Sequence, residues 1–344
     1  MSRTRAINLA LQGGGAHGAF TWGVLDRLLE DEAIEIAGIS ATSAGALNGA
    51  ALKAGLLEGG RAGARENLDW LWRQIGALSD PVLADWMAAV SPPVEQLARV
   101  LDASPFFNWA DAMGRILSPY ALPGDNPLRR IVERFHWDSV CAMSGPALHI
   151  CATNVRSGKV RVFTGEEICT DTILASACLP TLFRAVEWDD PATGRCEAFW
   201  DGGYTGNPAL FPLFAADLPR NIVIVNINPL RRDAVPKAAR DIQNRINEIS
   251  FNSSLLRELR AIAFVKRLIA EGAVEPRSMK DVLVHMIADD ALMTQLSVAT
   301  KLMPNPVVLH RLKEAGRHAA DRFLLSHRGD LGECGTVGLS EMFG

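Results

Sequence analysis

The apolar positions fall into two periods that divide the chain. Ala6 to Leu11 is a short apolar run, and Ile222 to Ile227 is almost purely β-branched; both predict strands, the second buried on both faces. Phe20, Val24, Leu25 and Leu28 recur at helical spacing within Ala19 to Leu29. Ile34, Ile36 and Ile39 mark a second strand, which runs through Ser40-Ala41-Thr42-Ser43-Ala44-Gly45 into an Ala-rich helical segment, Ala46 to Leu57. The chain therefore opens as strand, glycine loop, helix, strand, sharp turn, helix.

From Leu56 to about Ser144 the period is helical throughout. Glu66–Ile75, Pro81–Val90, Pro93–Leu101, Ala110–Leu117 and Asn126–Phe135 read as helices, several with proline near the start. Their aromatics (Trp70, Trp72, Trp86, Phe106, Phe107 and Trp109) are expected in the core, with some free to line a pocket. Strands return at Ala147–Thr153 and Lys159–Thr164, joined by a hairpin-like turn, then at Arg184–Trp188 and Glu197–Trp200. Thr170–Cys178 is a small-residue helix between them. Beyond Pro229 a long helix, Ala238–Glu271, carries Ile242, Ile246, Ile249, Leu255, Leu256, Leu259 and Ile262. A final strand, Val282–Ile287, and a closing helix, Asn305–Leu325, complete the reading. No internal repeat or low-complexity linker appears.

Composition narrows the class. With 344 residues, 48% of them hydrophobic and a net charge of -4, the chain reads as a globule without the basic character of a general nucleic-acid binder. Cys141, Cys151, Cys169, Cys178, Cys196 and Cys334 show no zinc spacing and are expected as buried free thiols. No stretch approaches the ~20 apolar residues of a spanning helix, and the first apolar run is too short for a secretory leader. A cytoplasmic location is expected, with peripheral contact at a membrane left open.

Two motifs carry candidate chemistry. Gly13, Gly15 and Gly18 fit the spacing of a dinucleotide-binding loop, but the acidic residue expected after the second strand is replaced by the serine turn; no Gly-Lys-Ser/Thr closes a P-loop either. The other use of such a loop is to aim bare backbone amides at one point. In a parallel sheet the loop and the turn share the C-terminal edge, so the glycine amides and that of Ala44 converge near Ser43 Oγ as an oxyanion hole. Ser43 itself has the context of a nucleophile elbow. Ala41 occupies the place of that motif's first glycine, and backbone strain is expected there. A serine needs a base. Ser43, Asp201 and His285 follow the order of an α/β-hydrolase triad, but loop and elbow are too close in sequence for that fold. Asp201, a strand-end carboxylate before Gly202-Gly203, is the stronger candidate.

With Gly13 to Gly18, Ala41-Thr42-Ser43-Ala44-Gly45, Asp201-Gly202-Gly203 and Ala175-Ser176-Ala177-Cys178-Leu179-Pro180 in this order, the chain resembles the patatin-like phospholipase family over about its first 230 residues. The resemblance implies a three-layer α/β/α fold with a mostly parallel sheet for a catalytic domain at 1–230; the helical insertion at about 56–144 and the mainly helical extension at 231–344, expected to pack on that domain, are read from the pattern of the chain itself. The resemblance implies a Ser43–Asp201 dyad without histidine, and Gly13, Gly14, Gly15 and Ala44 around the oxyanion and substrate. Gly18, Gly45, Gly202 and Gly203 support the motifs. The implied reaction is hydrolysis of lipid acyl esters through an acyl-enzyme, with no metal or cofactor. His17 stands where the family often has Lys or Arg. Other uses of the same dyad remain open (carboxylesterase, transacylase or polyester depolymerase), as does a silent lipid-binding scaffold. Expected partners are a lipid or acyl-ester substrate, a membrane surface and a second copy of the chain, not nucleic acid.

Overall fold

The computed structural model describes residues 4–116, 118–121, 126–275 and 278–343. Eight strands make one mixed sheet: β1 (Arg5–Leu11), β2 (Ile34–Thr42), β3 (Ala147–Asn154), β4 (Val160–Thr164), β5 (Val186–Asp190), β6 (Arg195–Asp201), β7 (Asn221–Asn226) and β8 (Leu283–Ala288). Their order is β5-β6-β3-β2-β1-β7-β8, with β4 also paired to β3. The run β3, β2, β1, β7, β8 is parallel, and the pairs that involve β4, β5 and β6 are antiparallel. The helices are α1 (Gly18–Leu29), α2 (Ala44–Ile75), α3 (Pro81–Val90), α4 (Val94–Asp102), α5 (Pro105–Ile116), α6 (Arg129–Val132), α7 (Trp137–Cys141), α8 (Thr170–Ser176), α9 (Ala239–Ala270), α10 (Asp290–Met293), α11 (Val298–Leu302), α12 (Pro306–His327) and α13 (Leu339–Phe343).

Strand alternation divides the core into two layers. Val223 and Val225 of β7 join Leu9, Leu11, Phe20, Leu25, Leu52 and Leu312, beneath α1, α2 and α12. Ile222 and Ile224, one residue out of phase, join Ala10, Leu255, Leu259 and Ile262 beneath α9. A strand with β-branched side chains on both faces is what such a double burial requires. The result is a mixed α/β fold with helices on both sides of a mostly parallel sheet. The chain beyond residue 230 supplies β8 to this sheet, α9 to one layer and α12 to the other.

Helix α2 is two antiparallel arms. Gly59 (φ −140°, ψ 19°) and Gly60 (φ 60°, ψ −146°) break it, and the arms are tied by Asn67 Nδ2 to the Ala51 carbonyl at 2.7 Å and by Trp72 Nε1 to Asn48 Oδ1 at 2.9 Å. The aromatic expectation holds in part. Trp72 and Phe107 are buried, but Trp86 and Trp109 are 61% and 62% exposed because α3 and α5 lie at the surface with one face unpacked. Leu117 and the Phe106 side chain lie outside the described residues. The α9 pattern is also corrected. Leu255, Leu259 and Ile262 are buried on a face that continues toward the N-terminus as the buried polar side chains Asn244, Glu248 and Asn252, whereas Ile242, Ile246 and Ile249 lie on the opposite face and are exposed. The cysteines are free, but only Cys151 and Cys178 are buried; Cys196 and Cys334 are exposed. Among the described residues no helix is long and apolar enough to cross a membrane.

Helices α1 and α12 cross at glycines. A Cβ on Gly23 would lie 1.8 Å from the Lys313 carbonyl oxygen, and one on Gly316 2.0 Å from that of Phe20. Both obstacles are backbone, so neither can yield cheaply. Gly316→Ala is expected to cost about 1–3 kcal/mol, the range for overpacking. Gly59→Ala, which meets nothing within 4 Å, is expected to stay within about 0.5 kcal/mol of the parent. Urea unfolding of the two variants side by side checks the contrast.

Candidate active site

The end of β2 turns into α2 at Ser43. Its backbone is at φ 55°, ψ −122°, and it is the one non-glycine residue with positive φ among those described. Such a conformation costs on the order of 1–3 kcal/mol and must be held. The Ser43 N–H donates to Ser176 Oγ at 2.8 Å, and Ser176 Oγ donates in turn to the Cys151 carbonyl at 2.6 Å. Thr42 Oγ1 donates to the Gly206 carbonyl at 2.6 Å on the other side. The strain expected at Ala41 is absent. Ala41 lies in regular register between Leu11 and Ile150, and its Cβ faces Gly49, where a second methyl would come within 3.4 Å.

Asp201 closes β6. Its register partner is Ala152, next to Cys151, which pairs with Thr42 across β3. Two strand ends, distant in sequence, thereby meet over one strand. The Asp201 N–H donates to the Cys178 carbonyl at 2.7 Å, and its carbonyl accepts from Thr153 Oγ1 at 2.8 Å. Oδ1 accepts from the Gly203 N–H at 2.7 Å, whereas Oδ2 is buried without a hydrogen-bond partner among the described residues. Burial raises the Asp201 pKa to about 6; the Gly203 N–H and the nearby Ser43 hydroxyl oppose the rise only in part. Burial, with the Asp201 charge behind it, also pushes the Cys178 thiol up to about 12, so this neighbour stays protonated.

The glycine loop passes over Ser43. A Cβ on Gly13 would lie 2.6 Å from Ser43 Cβ, and Gly15 has φ 59° with the Lys301 carbonyl oxygen 2.4 Å from any Cβ. Gly18 abuts Ala44, and Gly45 abuts the Leu11 carbonyl, so loop, elbow and strand end interlock at positions without side chains. Of the expected amide donors, that of Gly13 is already engaged: it donates to Asn207 Oδ1 at 2.7 Å. Those of Gly14, Gly15 and Ala44 have no acceptor among the described residues. Gly202 packs against the Cys151 carbonyl and Thr42.

Residues 9–216 match the model of the family described as patatin-like phospholipase. The chain belongs to the patatin-like phospholipase family. It is also similar in structure to VipD from Legionella pneumophila, with a TM-score of 0.42 and 14% identity over 95% of this chain and 68% of that one. For the type III effector ExoU the values are 0.36 and 16%, and this chain, aligned over 94% of its length, spans 54% of that protein. ExoU in its heterodimeric complex with SpcU, from the type III secretion system of Pseudomonas aeruginosa, gives 0.29 and 14% over 94% of this chain and 52% of that one. No curated protein matches in sequence.

In this patatin-like site His285 is not beside Ser43. It is buried on β8, between Asn221 Oδ1 and Thr336 Oγ1 at 3.3 Å each, and burial pushes its pKa down to about 4. His17 brings no charge to the loop. Its Nε2 is 2.8 Å from Thr300 Oγ1, whose own hydrogen goes to the Ser297 carbonyl, so Nε2 carries the proton. Burial first, then the Lys301 and Arg232 charges, hold the ring well below its ordinary pKa. Sequence reasoning left out the side chains beneath the loop. Gln12 Oε1 accepts from the Ile227 and Asn228 amides at 2.9 and 3.1 Å, while its Nε2 reaches the Asn207 carbonyl and Asn252 Oδ1 at 3.3 and 3.2 Å. Asn228 Nδ2 donates to the Gly13 carbonyl at 2.8 Å. The one available signal was a buried-strand context with Gln12 at its exit. Among the described residues no group of three or more His, Cys, Asp or Glu side chains is arranged to hold a metal ion.

The electrostatics are directly measurable. In carboxylate ¹³C NMR, Asp201 is expected to titrate with a midpoint of about 6. The Ser43 hydroxyl favours the ionised form, so Ser43→Ala is expected to raise that midpoint. A midpoint near the ordinary aspartate value would contradict the burial described.

Proposed function

We propose that the chain is a serine acyl hydrolase of lipid esters, with Ser43 as nucleophile and Asp201 as its base. The observation that supports this reading is Ser43, held at positive φ, near a buried Asp201 carboxylate whose Oδ2 has no hydrogen-bond partner among the described residues. Ser43 Oγ attacks the ester carbonyl carbon while its proton passes to Asp201 Oδ2. The carbonyl oxygen takes up the negative charge, and the free amides of Gly14, Gly15 and Ala44 donate to it. Collapse of the adduct breaks the ester C–O bond, and Asp201 returns the proton to the departing alcohol. Water then attacks the acyl-enzyme, Asp201 accepts its proton, and Ser43 is released with the proton restored as the fatty acid departs.

Electrostatics support the choice of base. An aspartate at its ordinary pKa is too weak a base for a serine hydroxyl; one raised to about 6 is closer to the range in which a base works at neutral pH. A cavity of about 320 Å³ lined by Val155, Pro180, Trp200 and Tyr204, among others, adjoins the Asp201 strand end.

Three measurements test the reading together. A fluorophosphonate probe is expected to label the wild type and not Ser43→Ala. Ser43→Ala and Asp201→Asn are each expected to lower kcat on p-nitrophenyl esters and phospholipid vesicles by ~10³-fold or more. Because the base must be ionised, kcat/KM is expected to fall as pH drops through about 6 and to level off above it. Equal rates in wild type and both variants would exclude the dyad. Added alcohols separate hydrolysis from acyl transfer.

A further inference from the structure

The chain that follows Asp201 is a strap tied to both halves of the site. The Gly206 N–H donates to the Gly202 carbonyl at 2.8 Å, so the strap starts from the turn beside Asp201. Its Gly206 carbonyl accepts from Thr42 Oγ1 at 2.6 Å, and its Ala209 carbonyl accepts from Ser40 Oγ. Asn207 Oδ1 accepts from the Gly13 N–H at 2.7 Å. Residues 206–209, all buried, are thus bonded to the strand that ends at Ser43 and to the loop above it.

The far end of the strap is held by one side chain. Glu258 of α9 turns Oε2 to the Leu210 and Phe211 N–H groups, which donate to it at 2.8 Å each. They stand at the start of the short 3₁₀ turn Phe211–Phe214, where backbone donors have no acceptor within the turn itself. A charged acceptor makes such bonds roughly twice as strong as a neutral one. Among the described residues no cation pairs with Glu258, so its carboxylate is directed to the strap and not to an ion pair. Ser254, one turn earlier on α9, adds a second tie by accepting from the Asn207 N–H at 3.2 Å.

We propose that Glu258 is a positioning residue for the nucleophile and its base. By fixing Leu210 and Phe211 it keeps residues 206–209 seated against Ser40, Thr42 and Gly13, and so sets the placement of Ser43 relative to Asp201. It acts through the strap and not on the reacting atoms. This role rests on the acyl-hydrolase reading above. Its importance follows from the geometry of proton transfer: a misplacement of about 1 Å, even one that originates far from the chemistry, can cost ~10²-fold in rate.

The test compares four variants of the full chain in hydrolysis of a p-nitrophenyl ester and in the rate of labelling by a fluorophosphonate. Glu258→Ala removes the acceptor, Glu258→Asp withdraws it by one methylene, and Glu258→Gln keeps an oxygen at the same reach. Ile262→Ala, one turn further along α9, removes apolar contact from the same helix and no hydrogen bond to the strap. Thermal melts establish which variants are folded; Glu258→Asp and Glu258→Gln carry the test if Glu258→Ala is not. The Ala and Asp variants are expected to lower kcat by ~10-fold or more with KM within ~3-fold, and to slow labelling by the same factor as kcat/KM. Glu258→Gln is expected to stay within ~3-fold of wild type. Ile262→Ala is expected to lower the melting temperature and leave kcat within ~3-fold. Folded Ala and Asp variants with wild-type kcat overturn the proposal, as does a loss confined to KM or a labelling rate that does not fall. An equal fall in kcat for Ile262→Ala would assign the effect to general loosening of α9, and one for Glu258→Gln to charge and not to the hold on the strap; either overturns it. A wild type that neither turns over ester nor reacts with the fluorophosphonate overturns the hydrolase reading itself, and this role with it.

Discussion

The left-handed backbone at Ser43 is the constraint on which the rest of the molecule depends. A β-carbon at φ 55° is a standing cost, and it persists only because neighbouring groups leave the residue no alternative. Ser176 fixes its N–H from one side, and Thr42 locks the preceding residue to Gly206 from the other. Above it Gly13 comes so near that no side chain fits between them. The small residues around the turn are the consequence. Each marks a place where a strand end, a helix start and a loop share one volume, and the packing that holds Ser43 also presents its hydroxyl.

Beneath the loop a second constraint operates. Gln12, Asn207, Asn228 and Asn252 are buried amides that bond to one another and to the backbone of the glycine loop and of the turn after β7. Neutral amides serve this purpose better than charges, because they fix direction without the desolvation penalty of an ion. The same dry surroundings act on Asp201 in the opposite sense. One of its oxygens is satisfied by Gly203 and the other is not, so burial wins and the carboxyl is held closer to neutrality than an exposed aspartate.

The segments after residue 230 bear on the site as well as on the sheet. The Lys301 carbonyl closes against Gly15, Thr300 holds His17, and Asn252 of α9 completes the amide set under the loop. Helix α12 reaches α1 at backbone contact distance through Gly23 and Gly316. The loop is therefore clamped from two directions by chain that is far from it in sequence.

By itself the sequence determined the parts that local chemistry specifies. The β-branched run at Ile222 to Ile227, the helix and strand periods before Ser43 and the turn-forming glycines each have a local physical cause, and they fixed the α/β class, the family and the residues worth examining. Tertiary structure decided what depends on contact. It moved the strain from Ala41 to Ser43, since only the folded backbone shows Ala41 in regular strand register and Ser43 at positive φ. It engaged the Gly13 amide with Asn207, a residue with no signal in its own neighbourhood. It turned Ile242, Ile246 and Ile249 of α9 and two tryptophans toward the surface, because periodicity records which residues share a face and not what, if anything, covers it. And it raised the pKa of Asp201, since burial belongs to the surroundings of a carboxylate and not to the Asp-Gly-Gly that announces it.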